Sequence, residues 1–279
     1  MLDQPVSAME SYGHYLADRF GRKNNILWVH GGDTSASDHD AESRVNAIAN
    51  AIIAGAPHQL HSAHCSRNNS GIECYDEAWL DVNTTYSNCG GSLSAVRADY
   101  GRNPAQVFFH IEGNYENEGA SLNCLIDQDA WSVLAGGVGH VFGNNPIWKF
   151  ANGWENALDS DGSIAMGHLS KLFQSRAWFR LRPDTDVVVS GGSGSTAAAV
   201  TSDGETIMVY SGSGTLTIDV SKLAGAEAHA WFYDPVDGSS NDLGTDLATG
   251  TDSFVLPRRG VLVIDDAAAN LPRPGSEPY

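Results

Sequence analysis

Apolar and polar positions alternate along the first two thirds of the chain in a way that predicts strands and helices in turn. Residues 26–29, Ile-Leu-Trp-Val, form a short apolar run that is typical of a strand buried on both faces of a parallel sheet. The strands predicted by such runs are 26–29, 58–63, 78–84, 106–111 and 137–142. Helical spacing of apolar residues predicts helices over 6–21, 41–54, 92–100, 127–136 and 163–175.

This alternation, with polar and glycine-rich segments after each strand, predicts a (β/α) barrel or a doubly wound sheet. Five strands are fewer than the eight of a closed barrel, so the barrel is expected to be partial. In the first helix, Met9, Tyr12, Leu16 and Phe20 recur at roughly helical spacing with Asp18 and Arg19 between them, which predicts an amphipathic helix.

The pattern changes after residues 181–184, Leu-Arg-Pro-Asp. Short, often alternating runs follow, separated by clusters of Gly, Ser, Asp and Asn, and this is typical of an antiparallel β-sandwich. The runs are 186–190, 196–201, 206–210, 214–220, 228–233, 253–256 and 260–264. We therefore predict part of a (β/α) barrel over 1–184 and a β-sandwich accessory domain over 185–279. The sandwich carboxylates lie in or beside turns, so we expect no catalysis there.

The formal net charge of −18 repels nucleic acid and anionic membranes, so we expect neither as a partner. No apolar stretch approaches the roughly 20 residues needed to cross a bilayer. The N-terminus lacks the basic and apolar regions of a signal sequence. A neutral or cationic partner fits this charge better, and the location of the protein stays open.

Four cysteines, at positions 65, 74, 89 and 124, match no zinc spacing. Cys65 and Cys74 flank a loop and are either a disulfide or free thiols. His58, His61 and His64 are spaced three residues apart, and in an extended segment they are not expected to converge on one point with Asp33. We therefore predict no metal and no cofactor.

Polar residues follow several predicted strands, and in a (β/α) barrel the C-terminal strand ends form the active site. These residues are Asp33, His61, His64, Asp81, Asn83, Glu112, Glu116 and His140. Glycoside cleavage needs one carboxylic acid to protonate the leaving oxygen and one carboxylate to attack the sugar or activate water. Asp33 and Glu112 can supply this catalytic pair, with the acid in the drier pocket. The alternatives are an N-cap role for Asp33, a backbone-bound Glu112, and an exchange of roles with Glu116.

Large aromatic residues near these positions can form flat apolar surfaces on which sugar rings stack. Core packing is the competing interpretation for each of them. The predicted substrate-binding residues are Trp28, His61, His64, Asp81, Asn83, Tyr115, Glu116, Trp131, His140 and Trp148. Of these, Tyr115, Trp131, His140 and Trp148 are expected to line one cavity with the two carboxylates.

Several motifs, in this order, resemble the apiosidase-like glycoside hydrolase family. They are 25–33 (NILWVHGGD), 79–83 (WLDVN), 112–116 (EGNYE), 135–140 (AGGVGH) with 142–144 and Trp148, 181–184 (LRPD), and 231–235 (WFYDP) with Gly238. The resemblance covers nearly the whole chain, and the order and spacing of the motifs make it specific. It implies a TIM-barrel hydrolase followed by a β-sandwich domain named for collagen binding.

By this resemblance, Asp33 acts as acid/base at the fourth barrel strand and Glu112 as nucleophile or base at the seventh. The family's barrel begins with three more strands, the first bearing an Asp-Thr-Ala-Trp-like loop that lines the site, and this chain begins just before the fourth. The family context implies secretion or a periplasmic location, and a virion is a further interpretation.

The sequence thus predicts a glycoside hydrolase that cleaves a bond in a polysaccharide or its side chains. The alternative is a non-catalytic carbohydrate-binding or virion tail module derived from such an enzyme. The strand that begins with Ile26 would leave an open sheet edge, where unpaired backbone groups invite self-association or a partner that completes the barrel.

Overall fold

In a computed structural model, residues 4–35 and 37–279 are described, and the chain forms two compact units that divide between Gly113 and Asn114. The first unit contains α1 (Val6–Phe20), β1 (Leu27–Gly31), α2 (His39–Gly55), β2 (Leu60–His64), the short helix α3 (Gly71–Cys74), β3 (Asn83–Tyr86), α4 (Cys89–Tyr100) and β4 (Phe108–Glu112).

The four strands of the first unit run parallel. β1 pairs with β2 in the register Leu27 to Leu60, and β3 pairs with β4 in the register Asn83 to Phe108. A parallel bridge between Ser62 and Val82 joins the two pairs. The C-terminal ends of these strands therefore lie at one edge of the sheet, where a (β/α) fold places its functional residues.

Helix α1 packs on α2 through small residues together with part of its apolar face, since Met9 and Leu16 both pack into the core cluster that includes Ile48 and Ile52 of α2. Met9, Gly13 and Ala17 are the buried positions of α1, whereas Tyr12 is exposed. A Cβ atom on Gly13 would lie 2.7 Å from Ala51 Cβ and from the Ile48 carbonyl oxygen, so only glycine permits this close approach. The predicted amphipathic helix is confirmed, and Tyr12 is the member of its apolar set that is exposed.

The second unit contains helices α5 (Leu122–Leu134) and α6 (Asp161–Gln174) and the strands β5 (Leu181–Pro183), β6 (Val188–Ser190), β7 (Ala197–Thr201), β8 (Thr206–Ser211), β9 (Gly214–Asp219), β10 (Glu227–Tyr233), β11 (Ser240–Leu247), β12 (Thr251–Leu256) and β13 (Gly260–Asp266). One antiparallel sheet has the order β11-β10-β13-β8-β7-β5 and a second has the order β12-β9-β6. Buried residues of both sheets form one core cluster, as expected for a β-sandwich.

Helices α5 and α6 belong to the same compact unit as these sheets. The Tyr210 hydroxyl donates to Asp127 on α5 at 2.5 Å. Arg176, just after α6, donates from Nε and Nη2 to the two oxygens of Asp265 on β13, at 2.9 and 2.7 Å. Both members of this ion pair are buried, so losing either one would leave an uncompensated charge.

The predicted strand 137–142 is wrong. In the described structure this segment contains a single bridge residue, His140, and no strand. Gly136 and Gly139 have φ values of +110° and +156°, and such a backbone interrupts an extended ladder. The predicted strand 78–84 is also displaced, because β3 begins at Asn83 and the preceding residues form a loop.

Among the described residues, no helix is long and apolar enough to cross a membrane. Cys65 and Cys74 form a disulfide, with Cα atoms 5.8 Å apart, which decides between the two interpretations left open by the sequence.

Candidate active site

Three predicted residues meet at the C-terminal edge of the parallel strands. His64 ends β2, Glu112 ends β4, and Asp33 follows β1 by two residues. Gly31 makes the turn at the end of β1 possible, because it has φ +89° and a Cβ atom there would lie 2.5 Å from the His64 carbonyl oxygen. The local backbone therefore brings Asp33 back over the end of β2.

His64 lies between the two carboxylates. Its Nε2 is 2.7 Å from Glu112 Oε2, within hydrogen-bond distance, and its Nδ1 is 3.9 Å from Asp33 Oδ1. The other oxygen of Glu112 accepts a hydrogen bond from the Tyr86 hydroxyl at 2.9 Å. Glu112 is thus held through both oxygens, and one atom from each of Asp33, His64 and Glu112 lies within 4.8 Å of the others.

The two carboxylates differ in exposure. The side chain of Glu112 is 20% exposed and that of Asp33 is 72% exposed. The expectation that the acid, assigned to Asp33, lies in the drier pocket is therefore not met, since Asp33 stands on an open turn. The N-cap alternative for Asp33 is also not met, because Asp38 caps α2 by accepting a hydrogen bond from the Ala41 N–H.

Sequence reasoning missed Tyr86. Burial is the main cause that raises the pKa of its phenol, and so the hydroxyl remains a hydrogen-bond donor to Glu112. The guanidinium of Arg67 lies 6.0 Å from the Tyr86 ring centroid. A strand prediction that ran two residues further, to the end of β3, would have placed Tyr86 at the edge that carries the site.

The cluster of Asp33, His64 and Glu112 also has the composition of a metal site, since an imidazole nitrogen and carboxylate oxygens can bind a divalent cation. The three histidines do not converge on one point. Only His64 lies beside Asp33, because the turn after β1 brings Asp33 beside the end of β2. His58 lies in an exposed turn, and His61 is buried on β2.

His61 and Asp81 take part in the packing of the sheet. His61 Nδ1 lies 2.8 Å from His30 Nε2, and the two buried rings stack with centroids 5.1 Å apart. Burial lowers the pKa of His30 to about 4, with a smaller contribution from His61, and burial also lowers the pKa of His61. Asp81 accepts a hydrogen bond from the His61 backbone N–H at 2.9 Å.

Asn83 and Trp28 have structural partners as well. The side chain of Asn83 is buried, accepts from the Ile72 N–H at 2.9 Å and exchanges hydrogen bonds with Ser70. The Trp28 indole donates to Gln59 at 2.6 Å and packs against the core cluster between α1 and α2. These contacts give both side chains a structural role in the first unit, and substrate binding by either residue stays a prediction.

In the second unit, Tyr115 and Trp148 contact each other with ring centroids 6.3 Å apart. Glu116 accepts hydrogen bonds from the Asn144 amide at 2.7 Å, from the Ser160 hydroxyl at 2.5 Å and from the Gly162 N–H at 2.9 Å. Ser160 and Gly162 belong to the N-terminal end of α6. Glu116 therefore holds the N-terminal end of α6 against the loop that contains Asn144. This structural role differs from the role of Glu112 at the end of β4.

Trp131 and His140 are both buried in the second unit. The Trp131 indole donates to the Ser195 carbonyl oxygen at 2.8 Å. His140 Nδ1 lies 3.7 Å from Asp129 Oδ1, and both residues line a cavity of about 540 Å³ whose other walls are largely apolar. Burial raises the pKa of Asp129 to about 7.

Two family models match the chain. Residues 3–180 match "Apiosidase-like, catalytic domain", and residues 182–265 match "Putative collagen-binding domain of a collagenase". No curated protein matches the sequence.

Solved structures with the same fold are glycoside hydrolases. One described as "Glycoside hydrolase" is 23% identical, with a TM-score of 0.85, over 95% of this chain and 70% of that chain. A family 5 glycoside hydrolase from Bacteroides vulgatus is 23% identical, with a TM-score of 0.87, over 99% of this chain and 70% of that chain. A bifunctional glucanase-xylanase from a metagenome library is 14% identical, with a TM-score of 0.52, over 94% of this chain and 69% of that chain.

The match to the catalytic-domain model spans well over half of the chain, and the resemblance seen in the motifs is thereby confirmed. The fold of the solved structures agrees with it. The chain belongs to the apiosidase-like family of glycoside hydrolases.

Proposed function

We propose that the protein cleaves a glycosidic bond in a polysaccharide or its side chains, with Glu112 as nucleophile and Asp33 as acid/base. The observation that carries this proposal is the way Glu112 is held. Tyr86 and His64 fix both of its oxygens, so that the carboxylate is positioned for attack. Asp33 is open to solvent on a turn, where it can reach a leaving group or a water molecule.

The separation of the carboxylates supports a retaining mechanism. The ligand oxygens of Asp33 and Glu112 lie within 4.8 Å of each other. Retaining glycosidases place their two carboxyl groups about 5–5.5 Å apart, whereas inverting enzymes need roughly 6.5–9.5 Å to admit a water between them.

Two displacements then complete the reaction. Glu112 attacks the anomeric carbon and forms an ester while the bond to the leaving oxygen breaks, and Asp33 donates its proton to that oxygen. Water next attacks the same carbon and gives a proton to Asp33, and the ester bond breaks to release the Glu112 carboxylate. Tyr86 and His64 act as positioning residues in both steps.

The product configuration tests this proposal. A panel of 4-nitrophenyl glycosides first identifies one that the protein hydrolyses. We expect the sugar released from it to have the same anomeric configuration as the substrate, as observed by proton NMR before mutarotation. Activity should survive EDTA, because no step passes through a metal. An inverted first product, or activity lost in EDTA and restored by Zn²⁺, would contradict the mechanism.

We also propose that the free edge of β1 pairs with a second copy of this chain. In the described structure β1 pairs with β2 on one side only, and Leu27 and Val29 are exposed on it. A cavity of about 240 Å³ is lined by residues 28–31 of β1 and by mostly apolar residues of α1 and α2. Unpaired strand edges with exposed apolar residues favour association.

Static light scattering tests this association. We expect the parent chain to self-associate with increasing concentration and Val29→Lys to shift it toward monomer, because a charge on the edge opposes strand pairing. A matched change on an exposed residue elsewhere, Val255→Lys, should have a smaller effect. A monodisperse monomer at high concentration in all three proteins would rule out the proposed contact.

A further inference from the structure

An exposed aromatic patch lies in the second unit, on the short 3-10 turns Ile147–Lys149 and Trp154–Ala157 and the residues between them. We define this aromatic patch as the exposed Trp148 and Phe150 together with the half-buried Trp154. Trp148 is 53% exposed and Phe150 is 74% exposed. Single exposed apolar residues are ordinary, but grouped large aromatics on a surface point to a binding role.

The indole of Trp148 is held in one orientation. Its Nε1 donates to Glu118 Oε1 at 2.9 Å, and the ring of Tyr115 meets it nearly at right angles, at 77°. The ammonium of Lys149 lies 4.7 Å from the Trp148 ring centroid. An aromatic surface fixed before binding loses little conformational entropy when a ligand arrives.

Phe150 is exposed and also has a strained backbone conformation. Its φ and ψ are 47° and 37°, in the left-handed region that bulky residues rarely adopt. Its ring meets that of Trp154 edge to face, with centroids 5.4 Å apart, and is otherwise open. Asn or Gly would suit this backbone better, so the phenyl ring costs stability without filling a core, which is typical of functional positions.

The chemistry around the aromatic patch fits a sugar chain. Sugar rings present apolar C–H faces bordered by hydroxyl groups, and they suit flat aromatic faces with polar neighbours. Lys149 and Glu118 supply a donor and an acceptor beside Trp148. We propose that the aromatic patch binds a polysaccharide chain, so that the substrate is a polymer rather than a small glycoside. This inference rests on the proposed function, since it names the class of substrate.

Kinetics on two substrates test the inference. With a 4-nitrophenyl glycoside, which carries one sugar, we expect Phe150→Asn and Trp154→Ala to keep kcat/KM within about twofold of the parent. With the polysaccharide that the parent cleaves, kcat/KM should fall at least about tenfold, the usual loss for an aromatic binding residue. Phe150→Asn should have an equal or higher Tm, because Asn tolerates the left-handed backbone.

Binding is measured separately, in the Glu112→Gln background, by retardation in native gels that contain arabinogalactan, xyloglucan or polygalacturonate. We expect at least one of them to retard the parent and the Phe150→Asn change to abolish that retardation. Phe179→Ala is the matched control, since Phe179 is also exposed in the second unit but lies outside the aromatic patch.

The outcomes separate this inference from the proposed function. An enzyme that cleaves aryl glycosides but is retarded by none of the polymers, or whose patch variants behave like Phe179→Ala, would overturn the aromatic patch alone. Retardation without any turnover would overturn the proposed function and leave the patch standing. Self-association that Phe150→Asn disperses, with unchanged retardation, would assign the patch to protein contact and also overturn the inference.

Discussion

Glu112→Gln is expected to lower turnover of an activated aryl glycoside by several orders of magnitude with little change in Tm. The carboxamide has nearly the shape of the carboxylate, and it can still accept from Tyr86 and hydrogen-bond to His64. It cannot form the covalent ester, which the proposed mechanism requires. Initial rates and thermal unfolding, measured on the same preparations, check both halves of this expectation.

Glu116→Gln is the matched control, four residues along the chain. Its carboxylate accepts three hydrogen bonds, two from the N-terminal end of α6 and one from the Asn144 amide, and the substitution puts an amide donor where acceptors are needed. We expect a lower Tm and a rate on the small aryl glycoside within about tenfold of the parent, because the loss is structural. If Glu116→Gln instead lost activity without losing stability, the two glutamates would have exchanged roles.

Rescue by azide sharpens the assignment of Glu112. In Glu112→Gly, azide can enter the space left by the side chain and attack the anomeric carbon directly. The product would be a glycosyl azide of inverted configuration, because only one displacement has occurred. A glycosyl azide of retained configuration, or an unchanged rate in Glu112→Gln, would place the nucleophile elsewhere.

The residues at strand ends could be found from the sequence because the apolar run of a buried parallel strand stops where polar and glycine residues begin. The apolar run of β1 followed by Gly-Gly-Asp located Asp33, and the run of β4 located Glu112. The strands of the sandwich were found in the same way, except for β5 and β11. β11, Ser-Asn-Asp-Leu-Gly-Thr-Asp-Leu, is a polar edge strand, and a pattern of apolar residues does not reveal it.

What the sequence could not decide was where each side chain finds its partner. Trp28, Trp131 and Asn83 were predicted to contact sugar, yet each is hydrogen-bonded to a neighbouring structural group. The role of Tyr86 depends on a register in which β3 and β4 bring it to Glu112, and register is a tertiary property. Local pattern predicts element type well and predicts such pairings poorly.

Asp33→Ala is expected to slow the first chemical step on substrates with a poor leaving group, and the second step on substrates with a good one. For an aryl glycoside with a poor leaving group, loss of the general acid should lower kcat/KM by roughly 10²–10⁴-fold. For a 2,4-dinitrophenyl glycoside, which needs little protonation to leave, the first step should survive and breakdown of the glycosyl-enzyme should limit the rate. Asp33→Asn should behave in the same way, since an amide neither donates nor accepts the proton comparably.

Azide should accelerate Asp33→Ala on the dinitrophenyl substrate and give a glycosyl azide of retained configuration, because azide needs no general base to attack the ester on Glu112. The Tm should barely move, since the Asp33 side chain is 72% exposed and caps no helix in the described structure. Asp38→Ala is the matched control: it removes the N-cap of α2, which costs about 1 kcal/mol of stability, and should leave the rate unchanged. If Asp33→Ala lost stability as Asp38→Ala does, or lowered the rates of both substrates equally and was not rescued by azide, Asp33 would not be the acid/base.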